Sequence, residues 1–178
     1  MIFPDEKKFL ELARQGNLIP LSREILADTE TPVSAYLKLS AQPGGAAFLL
    51  ESAESAGRLG RYSFVGSRPV AVMEFRSGRV RLSRAGGEVE ERAPEHPDPV
   101  REIQAMLQGI RPVQAWPAEP PPFAGGAVGF LAFGAVRYFE PTVGMAQRDD
   151  LGVPDACFAL VEEFLVFDHA RRTLRFVV

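Results

Sequence analysis

Two short polar segments carry the side chains best suited to chemistry. Glu51-Ser52 follows directly after the apolar run Phe48-Leu49-Leu50, and a second polar group lies a few residues further on, at Arg61, Tyr62 and Ser63. A polar group beside an apolar strand costs free energy unless a hydrogen-bonding partner satisfies it. Glu51 and Ser52 therefore need a partner, which is either the main chain at a strand end or a bound molecule.

Few side chains in the sequence suit acid–base or nucleophilic catalysis. The chain has two histidines. His96 lies among prolines in a predicted loop and His169 in a predicted hairpin turn, and neither stands at helical spacing from a carboxylate and a nucleophile. Both are interpreted as surface turn residues. The adjacent carboxylates Glu162-Glu163 and Asp149-Asp150 would face opposite ways in a strand, so they are interpreted as solvated charge.

A glycine-rich segment later in the chain could be mistaken for a phosphate-binding loop. Gly125, Gly126 and Gly129 lack the lysine and the serine or threonine of such a loop and do not open a long helix. A close approach of two main chains is the better interpretation. Arg137 and Glu140 then follow at a spacing of three residues, which permits an ion pair on a short helix.

These segments resemble the N-terminal domain of anthranilate synthase component I. The resemblance rests on Leu49-Leu50-Glu51-Ser52, on Gly125 to Leu131 and on Val136 to Glu140, and it extends from Phe9 to the Phe167-Asp168-His169 turn. It implies an enzyme of tryptophan biosynthesis that makes anthranilate from chorismate and is inhibited by tryptophan at this domain. It also implies that residues 1–178 are a single N-terminal regulatory domain and a fragment, non-catalytic alone, with the chorismate-binding domain expected beyond its C-terminus.

The resemblance assigns part of a tryptophan site to the first two segments. Tryptophan is a zwitterion with a large apolar ring and one indole N–H, so its site needs an acceptor, donors for a carboxylate and an apolar slot. The implied binding residues are Leu50, Glu51, Ser52, Arg61, Tyr62 and Ser63, with Leu49 and Phe64 as further candidates for the slot. Ser52 is the strongest assignment and Arg61, as a partner for the carboxylate, a weaker one. In the alternative interpretation, Glu51 and Ser52 only satisfy main-chain groups.

The same resemblance implies the cofactor and the partners. Magnesium is expected in the absent catalytic domain, and this chain is expected to bind none. The expected partners are L-tryptophan, a glutamine amidotransferase (component II) that supplies ammonia, and the protein's own catalytic domain. Two other interpretations stay open: the N-terminal domain of aminodeoxychorismate synthase component I, which a product assay distinguishes, and a stand-alone small-molecule binding module.

Composition sets limits that agree with these expectations. The chain has 178 residues, a hydrophobic share of 46% and a net charge of -3, which are ordinary for a globular domain and give no footprint for nucleic acid. No apolar run approaches the roughly 20 residues of a membrane span. The N-terminus turns charged at once, unlike a signal peptide, so a cytoplasmic location is expected. Cys157 is the only cysteine and is predicted to lie in the core.

The hydrophobic and turn patterns predict an α+β fold, an antiparallel sheet-rich domain with about three to four helices packed on it. Helices are predicted within residues 5–15, 32–40 and 98–110, the last with Val100, Ile103, Leu107 and Ile110 on its apolar stripe. Strands are predicted at 46–52, 62–66, 70–75, 80–82 and 88–91, as one meander with turns at Ser77-Gly78 and Gly86-Gly87. The proline-rich segment 112–123 is predicted to be a connector.

After that connector, the patterns predict a strand over 125–133, a short helix over 135–139, one long strand over 156–168 and a last strand over 173–178. The sequence ends inside the last apolar run, at Arg175-Phe176-Val177-Val178. An unpaired apolar strand end is uncommon at a terminus, which is a further reason to expect a fragment or a following domain.

Overall fold

The computed structural model describes residues 2–42, 46–52, 60–117, 119–140, 142–144, 149 and 151–178. The chain forms two compact units. Unit 1 comprises Met1–Pro69, Gly109–Gly126 and Val161–Val178, and unit 2 comprises Val70–Gln108 and Ala127–Leu160. Each unit is built on one antiparallel sheet, so the predicted sheet-rich α+β class is confirmed. The single regulatory domain over 1–178 stays a prediction.

The elements in chain order are β1 (Ile2–Phe3), α1 (Glu6–Leu12), β2 (Ser22–Leu26), α2 (Pro32–Ser40), β3 (Ala47–Leu50), β4 (Tyr62–Ser67), β5 (Ala71–Arg76), β6 (Arg79–Arg84), β7 (Val89–Arg92), α3 (Pro99–Leu107), β8 (Gly126–Leu131), a 3-10 helix (Phe133–Tyr138), β9 (Ala156–Val161), β10 (Phe164–Asp168) and β11 (Thr173–Val177). The three α-helices begin where capping residues predict them. The side chains of Asp5, Thr31 and Asp98 each accept a hydrogen bond from the main chain of the first turn.

The sheet of unit 1 has six strands in the order β1-β2-β11-β10-β4-β3. Because successive side chains in a strand point to opposite faces, each strand supplies both faces of the sheet. On one face, here called the helix face, Val65, Phe167 and Leu174 form a core with Ala35 of α2. On the opposite face, here called the connector face, the rings of Phe48, Phe64 and Phe164 surround Phe123 of the proline-rich segment.

One glycine lets two strands of that sheet pack closely. Gly66 of β4 lies opposite Phe48 of β3 in the antiparallel register. The Phe48 ring covers Gly66 so closely that a Cβ built at Gly66 would overlap the ring. The ring therefore occupies the space that a side chain at Gly66 would need.

The predicted meander is wrong at one junction. β3 and β4 pair in unit 1, whereas β5, β6 and β7 pair in unit 2, and the neighbour of β4 is β10 rather than β5. The junction contains Arg68, whose φ is 51°, and then Pro69. A left-handed residue followed by one without an N–H cannot continue a ladder, so the chain leaves the first sheet here.

The predicted long strand over 156–168 is also two strands. β9 pairs with β5 in the sheet of unit 2, and β10 pairs with β4 in the sheet of unit 1. Between them lie Glu162 and Glu163, both exposed. Their charge keeps this stretch in water, which ends one strand before the next begins. The last strand, β11, lies between β2 and β10 and is paired on both sides.

Unit 2 has the strand order β7-β6-β5-β9-β8. Its core contains Met73, Phe75 and Val80, and Ile103 of α3 packs against them. The predicted hairpin turn at Ser77-Gly78 is confirmed, with φ values of 48° and 70°. Ile110, predicted on the stripe of α3, instead lies beyond the end of the helix and is exposed.

Two charged side chains of unit 2 have partners that the sequence did not predict. The predicted Arg137–Glu140 pair is wrong: Arg137 Nη2 donates to both oxygens of Asp155 at 2.8 Å, and Tyr138 donates to the same carboxylate. Glu140 accepts from Thr142 instead. Glu140 lies beyond the end of the 3-10 helix, which stops at Tyr138, so the two side chains do not share the helix on which the predicted pair was based.

Two further predictions for unit 2 concern Cys157 and the glycine segment. Cys157 is half-buried rather than part of the core, and burial, followed by the Glu74 carboxylate, raises the pKa of its thiol. A Cβ built at Gly129 would overlap the main chain of Cys157 and Phe158. The predicted close approach of main chains is therefore confirmed at Gly129.

Candidate functional site

The first polar cluster lies at one end of the helix face and joins three separate segments. Ser63 of β4 is buried, and its hydroxyl donates to Oε1 of Glu51, which follows β3, at 3.1 Å. The same hydroxyl oxygen lies 2.7 Å from Nε2 of His169, in the turn between β10 and β11. Glu51 and His169 are both exposed, so the cluster runs from a buried centre to two exposed ends.

The chemistry of these groups fixes the direction of the protons. The Ser63 hydroxyl has one proton and donates it to the Glu51 carboxylate. Its oxygen must then accept from His169, so Nε2 carries a hydrogen and the neutral ring is the Nε2–H tautomer. One oxygen of Glu51 is thus held in place by a hydrogen bond, and the carboxylate keeps acceptor capacity for a further donor.

The second polar cluster lies on the connector face and holds Arg61. Its guanidinium donates from Nε and Nη2 to the two oxygens of Asp168, at 3.0 and 2.6 Å, as a bidentate pair. Asp168 also accepts from the main chain of Ala170 and Arg171 and so shapes the β10–β11 turn. Burial acts to raise the pKa of Asp168, but the bonds from Arg61 and from the turn outweigh it and leave that pKa below its usual value.

The predicted apolar slot is divided between the two faces. Leu50 lies opposite Phe64 on the connector face, and the Tyr62 and Phe64 rings lie 6.3 Å apart there. Leu49 lies opposite Val65 and packs on the helix face. Leu50 is 41% exposed, but it lies on the connector face, whereas the Glu51–Ser63 hydrogen bond lies on the helix face.

The structure therefore brings together part of the predicted set. Glu51 and Ser63 are hydrogen-bonded, and Leu50 and Ser52 adjoin Glu51 in the chain and are exposed. Arg61 lies apart from them, with its guanidinium bound to Asp168 and stacked 4.9 Å from the centre of the Tyr62 ring. The assignment of these residues to tryptophan stays a prediction.

Sequence reasoning missed two participants. His169 was interpreted as a surface turn residue without a carboxylate or hydroxyl partner, yet its ring is hydrogen-bonded to Ser63 across 106 positions of sequence. Asp168 was placed only in a turn, yet it is the partner of Arg61. The one signal available was their position directly after the apolar run of β10, where a strand end can present a polar side chain.

An open groove of about 410 Å³ lies beside His169, a size within the range of small-molecule sites. It is lined by Ala27, Asp28, Glu30, Thr31, Pro32, Phe167, Asp168, His169, Arg172 and Thr173. Two carboxylates, Asp28 and Glu30, come from the loop before α2. The hydrogen bond from Lys38, followed by that from Ser34, lowers the pKa of Glu30. With Arg172 also in the lining, the groove is bordered by charges of both signs.

A similar groove in unit 2, of about 430 Å³, lies on the β5–β6 hairpin. Its charged residues pair largely with one another, since Arg81 lies 3.8 Å from Glu74 and 4.0 Å from Glu91. It contains none of the residues that the sequence singled out. Its size alone does not make it a functional site.

Neither a metal cluster nor a membrane helix is found among the described residues. No group of three or more His, Cys, Asp or Glu side chains in this part of the chain is arranged to hold a metal ion. Of the Asp149-Asp150 pair, Asp150 lies outside the described residues. No helix in the described part of the chain is long and apolar enough to cross a bilayer.

Curated relatives match nearly the whole chain. Anthranilate synthase component 1 of a Synechocystis species is 37% identical over 175 residues, which cover 98% of this chain and 33% of that protein. The same enzyme component of Pseudomonas putida is 36% identical over 176 residues, with coverages of 98% and 34%. Probable anthranilate synthase component 1 of Schizosaccharomyces pombe is 35% identical over 180 residues, with coverages of 99% and 32%.

This chain therefore spans about a third of the length of the curated relatives that it matches. A crystal structure of anthranilate synthase component I from Streptococcus pneumoniae aligns with a TM-score of 0.49 and 27% identity, over 84% of this chain and 30% of that one. No protein-family model matches the sequence.

Proposed function

Since the chain is related over nearly its whole length to the N-terminal region of anthranilate synthase component I, we propose that it is the tryptophan-sensing part of such an enzyme. The observation that carries the proposal is the match of 37% identity over 98% of the chain. The hydrogen-bonded Glu51 and Ser63 support it, because they give this sequence an oriented acceptor that is open to solvent.

In the proposed site, Glu51 accepts from the ammonium group or the indole N–H of tryptophan. One of its oxygens is held by Ser63, so the carboxylate is oriented before a ligand arrives, and orientation in advance reduces the cost of binding. Ser52 supplies a hydroxyl, and the exposed Leu50, at the end of the edge strand β3, supplies apolar surface at the edge of the sheet. Arg61 is already paired with Asp168, so a donor other than Arg61 must bind the tryptophan carboxylate.

The proposed activity of the whole enzyme is the conversion of chorismate to anthranilate and pyruvate. Ammonia adds to the ring as the ring hydroxyl leaves as water, and the enolpyruvyl side chain then leaves as pyruvate. A component II amidotransferase would supply the ammonia from glutamine, and magnesium would act in a catalytic region that these residues do not contain. Each of these proposals rests on the named relatives and not on groups found in this chain.

Inhibition is proposed to act through two states of the enzyme that differ in their affinity for tryptophan. A ligand shifts such an equilibrium only by its differential affinity for the two states. A site that is oriented in one state and distorted in the other gives that difference. Tryptophan bound at Glu51 and Ser52 would then favour the less active state.

The first test is the product formed by the native protein from chorismate, magnesium and either glutamine or ammonia. We expect anthranilate, whose formation tryptophan inhibits. Formation of aminodeoxychorismate would overturn the proposal, and so would the absence of both products under conditions in which a characterised enzyme is active.

The second test is Ser52→Phe in the same protein. The added ring is expected to fill the slot beside Glu51, so inhibition by tryptophan is relieved while the uninhibited rate stays near that of the wild type. Ser40→Phe is the matched control, because Ser40 is an exposed serine at the end of α2. Unchanged inhibition in Ser52→Phe would remove Ser52 from the site.

A further inference from the structure

We propose that His169 is a positioning residue of the ligand site: through Ser63 it orients Glu51, and its protonation weakens the binding of an ammonium-bearing ligand. The inference rests on the function proposed above for Glu51. It adds a residue that the sequence motif does not contain, and it adds a regulation of the site by pH.

The geometry holds the ring in a defined place. The main-chain N–H of His169 donates to the carbonyl of Arg61 at 2.9 Å, which fixes the start of the turn to the start of β4. Asp168 accepts from the next two main-chain N–H groups of the turn, those of Ala170 and Arg171, both at 3.1 Å. The His169 side chain is thus presented to Ser63 by main-chain bonds on both sides.

The two hydrogen bonds of Ser63, to His169 and to Glu51, then fix the orientation of the Glu51 carboxylate. Ser63 is 2% exposed, so its hydroxyl has little access to water and depends on protein partners. With Nε2–H of His169 donating to its oxygen, the Ser63 proton is directed at Glu51. Without the ring, the Ser63 oxygen loses its donor, and the bond to Glu51 is held from one side only.

Protonation of His169 adds a positive charge to the ring and leaves its hydrogen bond to Ser63 in place. The added proton goes to Nδ1, and Nε2–H continues to donate to Ser63. The ring then carries a positive charge one serine away from the Glu51 carboxylate. An ammonium group that approaches Glu51 meets that charge, so its affinity falls when the ring is protonated.

The other charged groups around the ring do not duplicate this role. Asp168 of the same turn is bound to Arg61, and Glu30 from the loop before α2 is bound to Lys38. Asp28 and Arg172 line the groove beside His169 and have opposite charges. Glu51, from the end of β3, is the carboxylate that reaches the ring through a hydrogen-bonded side chain.

The test is the affinity of the native protein for tryptophan, measured by calorimetry between pH 5.5 and 8, roughly the range in which histidine titrates. Four forms are compared: wild type, His169→Leu, His169→Gln and His96→Gln. Gln keeps an N–H near the place of Nε2 but cannot gain a charge, and Leu removes both properties. His96→Gln is the matched control, because it removes the other histidine and leaves His169.

We expect His169→Leu to weaken binding about fivefold at pH 8, since it removes one hydrogen bond behind a charged acceptor. His169→Gln is expected to bind like the wild type at pH 8 and to lose most of the weakening at low pH. His96→Gln should keep the wild-type pH profile. The nitrogen resonances of His169 should report the Nε2–H tautomer in the absence of tryptophan.

The results separate the two proposals. Wild-type binding with equal affinities and pH profiles in all four forms would overturn the role of His169 and leave the tryptophan site standing. An Nδ1–H tautomer would overturn the orientation of the bonds. No binding of tryptophan by the wild type would overturn the proposed function, and the inference with it.

Discussion

Polar side chains have different kinds of partners on the two faces of the sheet in unit 1. On the connector face, Arg61 is paired with Asp168 and Arg175 with Glu24, both at 2.6 Å. Each cation there has a carboxylate of its own within the protein. On the helix face, Ser63 is buried between an acidic and an imidazole side chain, both of which reach the surface.

The difference separates polar groups that stabilise the fold from those that can serve a ligand. A charge-paired side chain gains little from a new partner, because binding must first break the existing pair. An exposed carboxylate with one oxygen held in place can still accept from a donor in solution. Of the residues predicted from the sequence, Arg61 belongs to the charge-paired group. Glu51 and Ser63 belong to the group that can still serve a ligand.

The largest expected effect is on the connector face. Asp168→Ala removes the partner of Arg61 and the acceptor of two N–H groups of the turn, so we expect the free energy of unfolding to fall by about 3 kcal/mol. Chemical denaturation of both proteins measures it. Asp28→Ala, at an exposed position, is the control and should change stability little. Equal losses in the two variants would show that the Arg61–Asp168 pair stabilises the fold no more than the exposed carboxylate of Asp28 does.

The same carboxylate gives a pH signature. Its pKa is lowered in the folded protein, so the fold favours the ionised form. That stabilisation is fully present above the unfolded pKa of about 4 and is lost as the pH falls through the folded value. The stability difference between wild type and Asp168→Ala should therefore shrink below about pH 4. A constant difference across this range would contradict the assignment.

The next effect tests how the connector is held. Phe123 is ringed by three aromatic side chains with centroid distances of 5.0 to 6.3 Å. Because Phe123 is half-buried, Phe123→Ala should lower the free energy of unfolding by about 2 kcal/mol, less than for a fully buried ring. Phe133→Ala is the matched control, since the Phe133 ring is 97% exposed. Thermal or denaturant unfolding compares the two.

A smaller effect is expected on the helix face, and in binding rather than stability. Glu51→Gln keeps the shape and an acceptor for Ser63 but removes the charge, so the affinity for tryptophan should fall about tenfold. Glu24→Gln makes the same change on the connector face, where we expect lower stability and unchanged affinity. Calorimetry measures the affinity of both variants and denaturation their stability, and a loss of affinity in Glu24→Gln would contradict the separate roles of the two faces.

The smallest effect distinguishes the two faces most directly. Arg61→Lys keeps the positive charge but loses the bidentate fork to Asp168, so the melting temperature should fall. The affinity for tryptophan should change less than about twofold, because the guanidinium is not expected to meet the ligand. A loss of affinity as large as that of Glu51→Gln would place Arg61 at the tryptophan carboxylate.

Much of the fold could be predicted from local signals. Asp5, Thr31 and Asp98 mark helix starts, and Ser77-Gly78 marks a hairpin, because caps and tight turns are decided by residues close in sequence. The division into two sheets was missed. Apolar alternation continues from β4 into β5 and from β9 into β10, and it does not reveal which strand lies alongside.

The site was predicted in part for the same reason. Glu51 was found because a polar residue directly after an apolar run is visible in the sequence. Its connection to Ser63 depends on the register of β3 against β4, and the connection to His169 depends on the pairing of β4 with β10. Arg61 was predicted as a weaker candidate for the tryptophan carboxylate, and its pairing with Asp168 was not predicted because Asp168 lies 107 positions away.

The contact between Gly66 and Phe48 restricts which substitutions this sequence can accept in evolution. A side chain at Gly66 meets the Phe48 ring, and a smaller residue at Phe48 leaves an uncovered glycine in the sheet. Either single replacement is therefore penalised, whereas a simultaneous exchange preserves the filled volume. Related sequences should vary at these two positions together, with a large residue at one and glycine or alanine at the other.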